Sequence, residues 1–302
     1  MFKLSGVMPA LLTPFDRAGD VNPAVLREMV DFQLANGVAG FYLTGSTGEG
    51  LLLSPDERRL VVETVVGQVK GRAPVVVHVG ALTTRAARAL AVQAEEAGAD
   101  AISSIPPIYY KVGVEGIKQY YIQVAAASSL PFYIYNIPGT TGVNISVETV
   151  QDLLAAIPTL RGIKYTSYDF FQMRKFVELQ GGWFNVISGP DEMMIAAQAM
   201  GADGAIGTTE NLLPHIFAQA YEAFHAGDVA AAQALQAKIN WVINVFFQFP
   251  SLSAVKEMMR LIGFDCGAAR PPNLPLTDGQ KSRLREMLEE IGFFEFAATR
   301  HD

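Results

Sequence analysis

Short apolar runs rich in β-branched and aromatic residues alternate with longer Ala/Leu/Glu-rich segments of helical period over the first two-thirds of the chain. The strand-like runs fall at residues 7–11, 40–44, 75–79, 101–105, 132–135, 162–165, 184–187 and 204–206. An unbroken apolar run of this length fits a parallel strand covered on both faces, since neither face then meets water. The segments between predict helices at 23–36, 55–69, 84–97, 114–127, 147–156, 170–179 and 191–200. Local punctuation agrees with them. Asn22 precedes the first helix as an N-cap and Gly37 follows it, while Ser54 and Glu57 form a capping box before the second. The helix-to-strand handover repeats as Asn36-Gly37-Val38-Ala39-Gly40, Ala97-Gly98-Ala99-Asp100-Ala101 and Met200-Gly201-Ala202-Asp203-Gly204.

Eight β/α units in unbroken succession predict an α/β fold, a closed (β/α)8 TIM barrel over residues 1–226. An open doubly wound sheet would place a Gly-rich nucleotide loop after its first strand. Here that stretch reads Thr13-Pro14-Phe15-Asp16, with neither a GxGxxG nor a GK[ST] pattern. Beyond Thr208 only helical segments remain, at 212–226, 228–249, 251–262 and 277–291. The first completes the barrel, and 227–302 is expected to be a helical extension packed on it. A length of 302 residues suits a single barrel.

Composition narrows the classes. Half of the residues are apolar, enough for a large core, and the net charge of −7 argues against a nucleic-acid partner. No apolar stretch approaches the roughly 18 residues of a membrane span. The apolar start at 4–12, broken by Pro9, reads as a buried strand and not a signal peptide. Cys266 is the only cysteine, so a disulfide framework and CxxC metal spacing are excluded, which suits a cytoplasmic protein. His78, His215, His225 and His301 show no metal-ligand spacing, so neither metal nor cofactor is expected. Trp241, Phe246, Phe247 and Phe249 read as core or subunit interface.

Chemistry in such barrels sits where the strands end. Lys164 lies within the sixth strand, in Gly162-Ile163-Lys164-Tyr165-Thr166. Lysine is seldom buried, and desolvation favours an amine's neutral form, the form that attacks a ketone. The plainer alternative is an edge lysine or a structural ion pair. Tyr135 ends the fifth strand, about 5 Å from the sixth, where a phenol can carry protons or merely pack. The loop Thr44-Gly45-Ser46-Thr47-Gly48-Glu49-Gly50 offers glycine-freed N–H groups and two hydroxyls to an anion. Lacking a P-loop lysine, it suits a carboxylate better than a nucleotide; alternatively Ser46 and Glu49 cap the next helix. Gly189-Pro190-Asp191-Glu192 opens a helix, where acidic residues either answer the helix dipole or accept hydrogen bonds from substrate hydroxyls. His78 reads as a satisfied core residue, and Ser46 has no histidine partner for a hydrolase triad.

Taken together, Gly45-Ser46-Thr47-Gly48-Glu49, Tyr135-Asn136-Ile137-Pro138 and Gly162-Ile163-Lys164, in that order, resemble the pyruvate-dependent class I aldolase family of dihydrodipicolinate synthase and N-acetylneuraminate lyase. The resemblance spans nearly the whole chain. It implies a Schiff base between Lys164 and pyruvate, with Tyr135 as proton carrier and Ser46 and Thr47 gripping the carboxylate. The details are most similar to the lyase branch. Ser46 stands where synthases usually have threonine, and Thr140 falls near their carboxylate-gripping arginine. Thr166, Gly189, Asp191, Glu192 and Thr208 match positions where the lyases bind the sugar acid. Thr208 replaces a serine, and Tyr168 a glycine. Tyr110 matches a tyrosine that reaches a neighbouring subunit's site in this family. Family members are commonly tetramers, so the resemblance implies a homotetramer. The implied partners are pyruvate and an aldehyde or sugar acid.

Overall fold

The computed structural model describes residues 2–300; His301 lies outside them. Eight parallel strands form one sheet in the order β1-β8-β7-β6-β5-β4-β3-β2. They are β1 (Gly6–Val7), β2 (Phe41–Leu43), β3 (Val75–His78), β4 (Ala101–Ser104), β5 (Phe132–Asn136), β6 (Leu160–Tyr165), β7 (Asn185–Ser188) and β8 (Gly204–Ala205). The sheet closes beyond β1. Leu11 donates to the Tyr42 carbonyl at 2.9 Å, and the Tyr42 N–H to the Pro9 carbonyl at 3.0 Å. This is the (β/α)8 barrel expected. The first strand is shorter than the apolar run at 7–11, for Pro9 has no N–H to extend a ladder.

The helices between strands are α1 (Pro23–Ala35), α2 (Pro55–Val69), α3 (Thr84–Glu96), α4 (Gly113–Ala125), α5 (Pro138–Thr141), α6 (Val147–Ala156), α7 (Phe170–Val177) and α8 (Met194–Ala199). Asn22, Ser54, Thr83, Ser146 and Asp169 each accept a hydrogen bond from a first-turn N–H, worth about 1 kcal/mol per cap. Gly37, Gly98 and Gly201, the repeated handover glycines, all have positive φ, as a left-handed helix terminus requires. Two helices are shorter than their sequence pattern. Gln180 and Gly181 turn left-handed after α7, and a 3-10 turn at Asp191–Met193 precedes α8 because Met193 departs from helical angles. Then follow α9 (Pro214–His225), α10 (Val229–Phe246), α11 (Ser251–Leu261), α12 (Asp278–Glu290) and α13 (Phe293–Phe296).

Strand periodicity sorts side chains between two cores. Phe132, Ile134, Ile163 and Tyr165 face the helices, whereas Tyr42, Tyr133, Tyr135, Ile187 and Ile206 belong to the interior of the barrel. The period of two therefore sends Lys164, between Ile163 and Tyr165, into the barrel.

Candidate active site

Lys164 is only 5% exposed, and its Nζ lies 4.4 Å from the ring centres of both Tyr42 and Tyr135. In the β5–β6 register Tyr135 is directly beside Lys164. The Tyr135 ring meets Tyr42 and His78 edge-on, at 5.8 and 5.9 Å between centroids. Aromatic faces over an amine supply attraction without a counter-charge. His78 is a satisfied core residue: its Nε2 accepts from the Ile105 N–H, and its pKa is held down to about 3 by burial and the nearby Arg58 charge.

Beyond the ends of β6, β7 and β8, a cavity of about 300 Å³ is lined by Thr140, Thr166, Tyr168, Asp191, Glu192 and Thr208, with Ile243 and Phe247 on its apolar side. Thr166 Oγ1 is buried without a hydrogen-bond partner and is free to meet a ligand. Asp191 accepts from the Thr209 N–H and hydroxyl at 2.7 and 2.6 Å. Burial nevertheless raises its pKa to about 6, against that Thr209 pairing. Gly207 is needed beside it, for a Cβ there would fall 1.3 Å from Asp191 Oδ1. Tyr168 donates its hydroxyl to Glu192 Oε1, and that carboxylate pushes the phenol's pKa up to about 12.

The loop after β2 crosses to the same mouth. The Thr47 and Thr208 hydroxyls meet at 2.7 Å, joining the loops that follow β2 and β8. Ser46, Thr47 and Gly48 have N–H groups with no internal partner among the described residues. Gly50 packs so closely that a Cβ would lie 1.7 Å from the Thr44 carbonyl oxygen. The Ser46–Glu49 cap considered from sequence does not form. Instead Ser54 and Glu57 cap α2, while Glu49 turns inward to Lys256 Nζ at 2.6 Å and the Arg270 N–H at 2.6 Å. Glu49 anchors the loop to the C-terminal segment.

Most of the residues singled out in the sequence thus converge. Thr166, Gly189, Asp191, Glu192 and Thr208 line one cavity and Thr47 meets it through Thr208, while Lys164 and Tyr135 lie side by side in the barrel interior and are not among its lining residues. Ser46 is exposed at the tip of the loop. Tyr110 does not join its own chain's mouth: it is 74% exposed and faces a separate cavity of about 280 Å³ beside Leu82 and Val112. A larger cavity, about 650 Å³, lies between Phe15–Arg17 and α11 and holds none of these residues. Two residues escaped the sequence reading: Tyr42, signalled by its inward place in β2, and Glu210, signalled by following a strand end.

The fold and site define a class: a (β/α)8 barrel with a buried amine on its sixth strand and a polar cavity past the ends of its last three strands. Residues 3–291 match the Dihydrodipicolinate synthetase family. The chain is 35% identical to the N-acetylneuraminate lyase of Rhizobium meliloti, over 96% of this chain and 96% of that one. It is also 35% identical to the 4-hydroxy-tetrahydrodipicolinate synthase of Methanopyrus kandleri, over 96% and 97%. The solved structure of Proteus mirabilis N-acetylneuraminate lyase superposes with a TM-score of 0.92 at 32% identity, covering 97% of this chain and 100% of that one. The chain belongs to the dihydrodipicolinate synthase/N-acetylneuraminate lyase family of pyruvate-dependent class I aldolases, and is a carbon–carbon lyase.

Proposed function

We propose that Lys164 forms an imine with the 2-oxo carbon of a sugar acid and that the protein cleaves N-acetylneuraminate to pyruvate and N-acetylmannosamine. The observation that carries this reading is the buried Lys164 amine between Tyr42 and Tyr135, on the strand that leads into Thr166 and a cavity walled by hydroxyls and carboxylates. The cationic imine nitrogen draws the electrons of the breaking bond, and Tyr135 takes the proton of the C4 hydroxyl. Thr47 and Ser46, with their free N–H groups, hold the pyruvate carboxylate. Asp191, Glu192, Thr166 and Thr208 receive the hydroxyls of the sugar chain. The working form is a homotetramer in the cytoplasm, supported by the exposed Leu82, Tyr109, Tyr110 and Val112.

A second reading, 4-hydroxy-tetrahydrodipicolinate synthase, is favoured by a relative of that name at equal identity. Thr140 opposes it, since a threonine cannot grip a carboxylate as a guanidinium fork does. Two measurements decide. Pyruvate plus borohydride should add a stable adduct to Lys164, and its absence would end the Schiff-base reading. In the condensation direction, turnover of N-acetylmannosamine supports the lyase, and turnover of aspartate semialdehyde alone overturns it.

A further inference from the structure

The loop after β2 starts from a residue held in an uncommon conformation. Thr44 has a φ of 54°, in the left-handed region that β-branched residues seldom adopt, and it is buried. Its carbonyl oxygen accepts twice, from His78 Nδ1 at 3.1 Å and from Arg58 Nη2 at 3.4 Å. The imidazole donates there because its Nε2 is occupied by the Ile105 N–H, which leaves the ring proton on Nδ1. The Thr44 hydroxyl adds a bond to the His78 carbonyl at 2.9 Å.

Arg58, one turn into α2, is the unusual partner. It is 4% exposed, and it donates only to carbonyls, those of Gly80, His78 and Thr44 at 3.2, 3.3 and 3.4 Å. It also lies 3.4 Å from His78 Nδ1, donor facing donor. Its Nε has no partner, and no carboxylate pairs with it among the described residues. Burial draws its pKa down to about 10, so it is still a cation at neutral pH. A buried cation without a counter-ion costs stability. In return one guanidinium, carried by the helix that follows the loop, pins the residue that begins it and ties the end of β2 to that of β3.

That pin reaches the lysine through contacts. The Thr44–Gly45 peptide is trans, so a carbonyl turned to Arg58 sends the Gly45 N–H the opposite way. From Gly45 to Gly48 no N–H has an internal partner among the described residues. Gly45 rests on the Tyr42 ring, where a Cβ would fall 2.7 Å from Cε1, and the Lys164 Nζ is 4.4 Å from the centre of that ring.

We propose that Arg58 is a positioning residue for the carboxylate grip: it holds the Thr44 carbonyl inward and thereby fixes the Gly45–Gly48 N–H groups for the carboxylate of the 2-oxo acid. The inference rests on the Schiff-base reading and adds a residue to it. The carbon that Lys164 attacks carries the carboxylate, so the anion is received beside the ring on which Gly45 packs. The unneutralised guanidinium behind the loop favours an anion there over a neutral group.

The test uses the full chain and two probes, pyruvate and its methyl ester, which keeps the ketone and lacks the anion. Borohydride-trapped adduct on Lys164 is followed by mass against probe concentration. Arg58→Met keeps an unbranched chain and strands no counter-charge, so folding should be preserved. Its half-saturating pyruvate concentration should rise about 30-fold, the scale of weakened hydrogen bonds to a charged group, while that of the ester should move less than about threefold. Arg58→Lys keeps the charge and loses the fork, so pyruvate should weaken about fivefold, again with the ester spared. This second variant decides the matter if Arg58→Met does not fold. Equal losses for pyruvate and ester would show a general support of the site and overturn the proposal, as would pyruvate binding unchanged from wild type. Both outcomes leave the Schiff base intact. If the wild type itself traps no pyruvate on Lys164, the functional reading and this inference fall together.

Discussion

Tyr135 and Lys164 are register partners on adjacent parallel strands, with the Lys164 Nζ 4.4 Å from the centre of the Tyr135 ring. The same side chain therefore supplies a π face to the amine and a phenol within the barrel interior. Tyr135→Phe separates the two roles, since the ring still packs on Tyr42 and His78. We expect kcat for cleavage to fall between about 10² and 10⁴-fold, while pyruvate still traps on Lys164. Steady-state kinetics beside borohydride trapping check this; a kcat close to wild type would remove the phenol from the chemistry.

Asp191 gives the site a pH dependence of defined sign. Folding raises its pKa from the ordinary value near 3.8 to about 6, so the folded state holds the proton more tightly. The associated stability is fully present below the unfolded pKa near 3.8 and is lost as pH rises through the folded value near 6. The gap corresponds to about 3 kcal/mol. Denaturant titrations should show wild type losing that much relative to Asp191→Asn between about pH 4 and pH 6. Binding runs the other way, because the carboxylate accepts a sugar hydroxyl more strongly than the neutral acid does. The KM for the sugar acid should climb as pH falls through about 6 in the wild type and stay flat in Asp191→Asn.

The barrel was legible because its cause is local. Two-face burial makes each strand a continuous apolar run, and the capping glycines between helices and strands follow from backbone sterics alone. Lys164 was legible for the same reason, as a charge where every neighbour is apolar. Glu49 was misread because its partners Lys256 and Arg270 lie some two hundred residues away, and short-range spacing offered only a helix cap. Glu210 was missed because an acid after a strand looks like any solvated loop residue until the fold buries it. The breaks at Gln180 and Met193 fall where tertiary packing overrides helical period.

Glu192 arrives at the cavity already engaged, accepting the hydroxyl of Tyr168, whose ring is 66% exposed. A sugar hydroxyl that binds Glu192 must compete with that phenol. Glu192→Ala should raise the KM for the sugar acid about tenfold with little change in kcat, as loss of a hydrogen bond to a charge predicts. Tyr168→Phe removes the competitor and should lower KM a few-fold. Were KM to rise in Tyr168→Phe as it does in Glu192→Ala, the phenol would itself be a substrate contact. An unchanged KM in Glu192→Ala would take that carboxylate out of the sugar site.

The loop after β2 is held from behind by the buried pair Glu49–Lys256, whose side chains are 0% and 2% exposed. The Phe15 ring lies between two cations, with Lys256 Nζ 4.1 Å and the Arg270 guanidinium 4.3 Å from its centre. Removing one member of such a pair strands the other charge in the core. Glu49→Gln should therefore cost about 3–5 kcal/mol of unfolding free energy, read from urea denaturation. The double variant Glu49→Gln with Lys256→Met should recover a large part of that loss, because no buried charge is left unpaired. Pyruvate binding should not recover with it, since the loop has still lost its charged tether to Lys256 of α11. A double variant as unstable as the sum of the two single changes would show that packing, and not the paired charges, governs this contact.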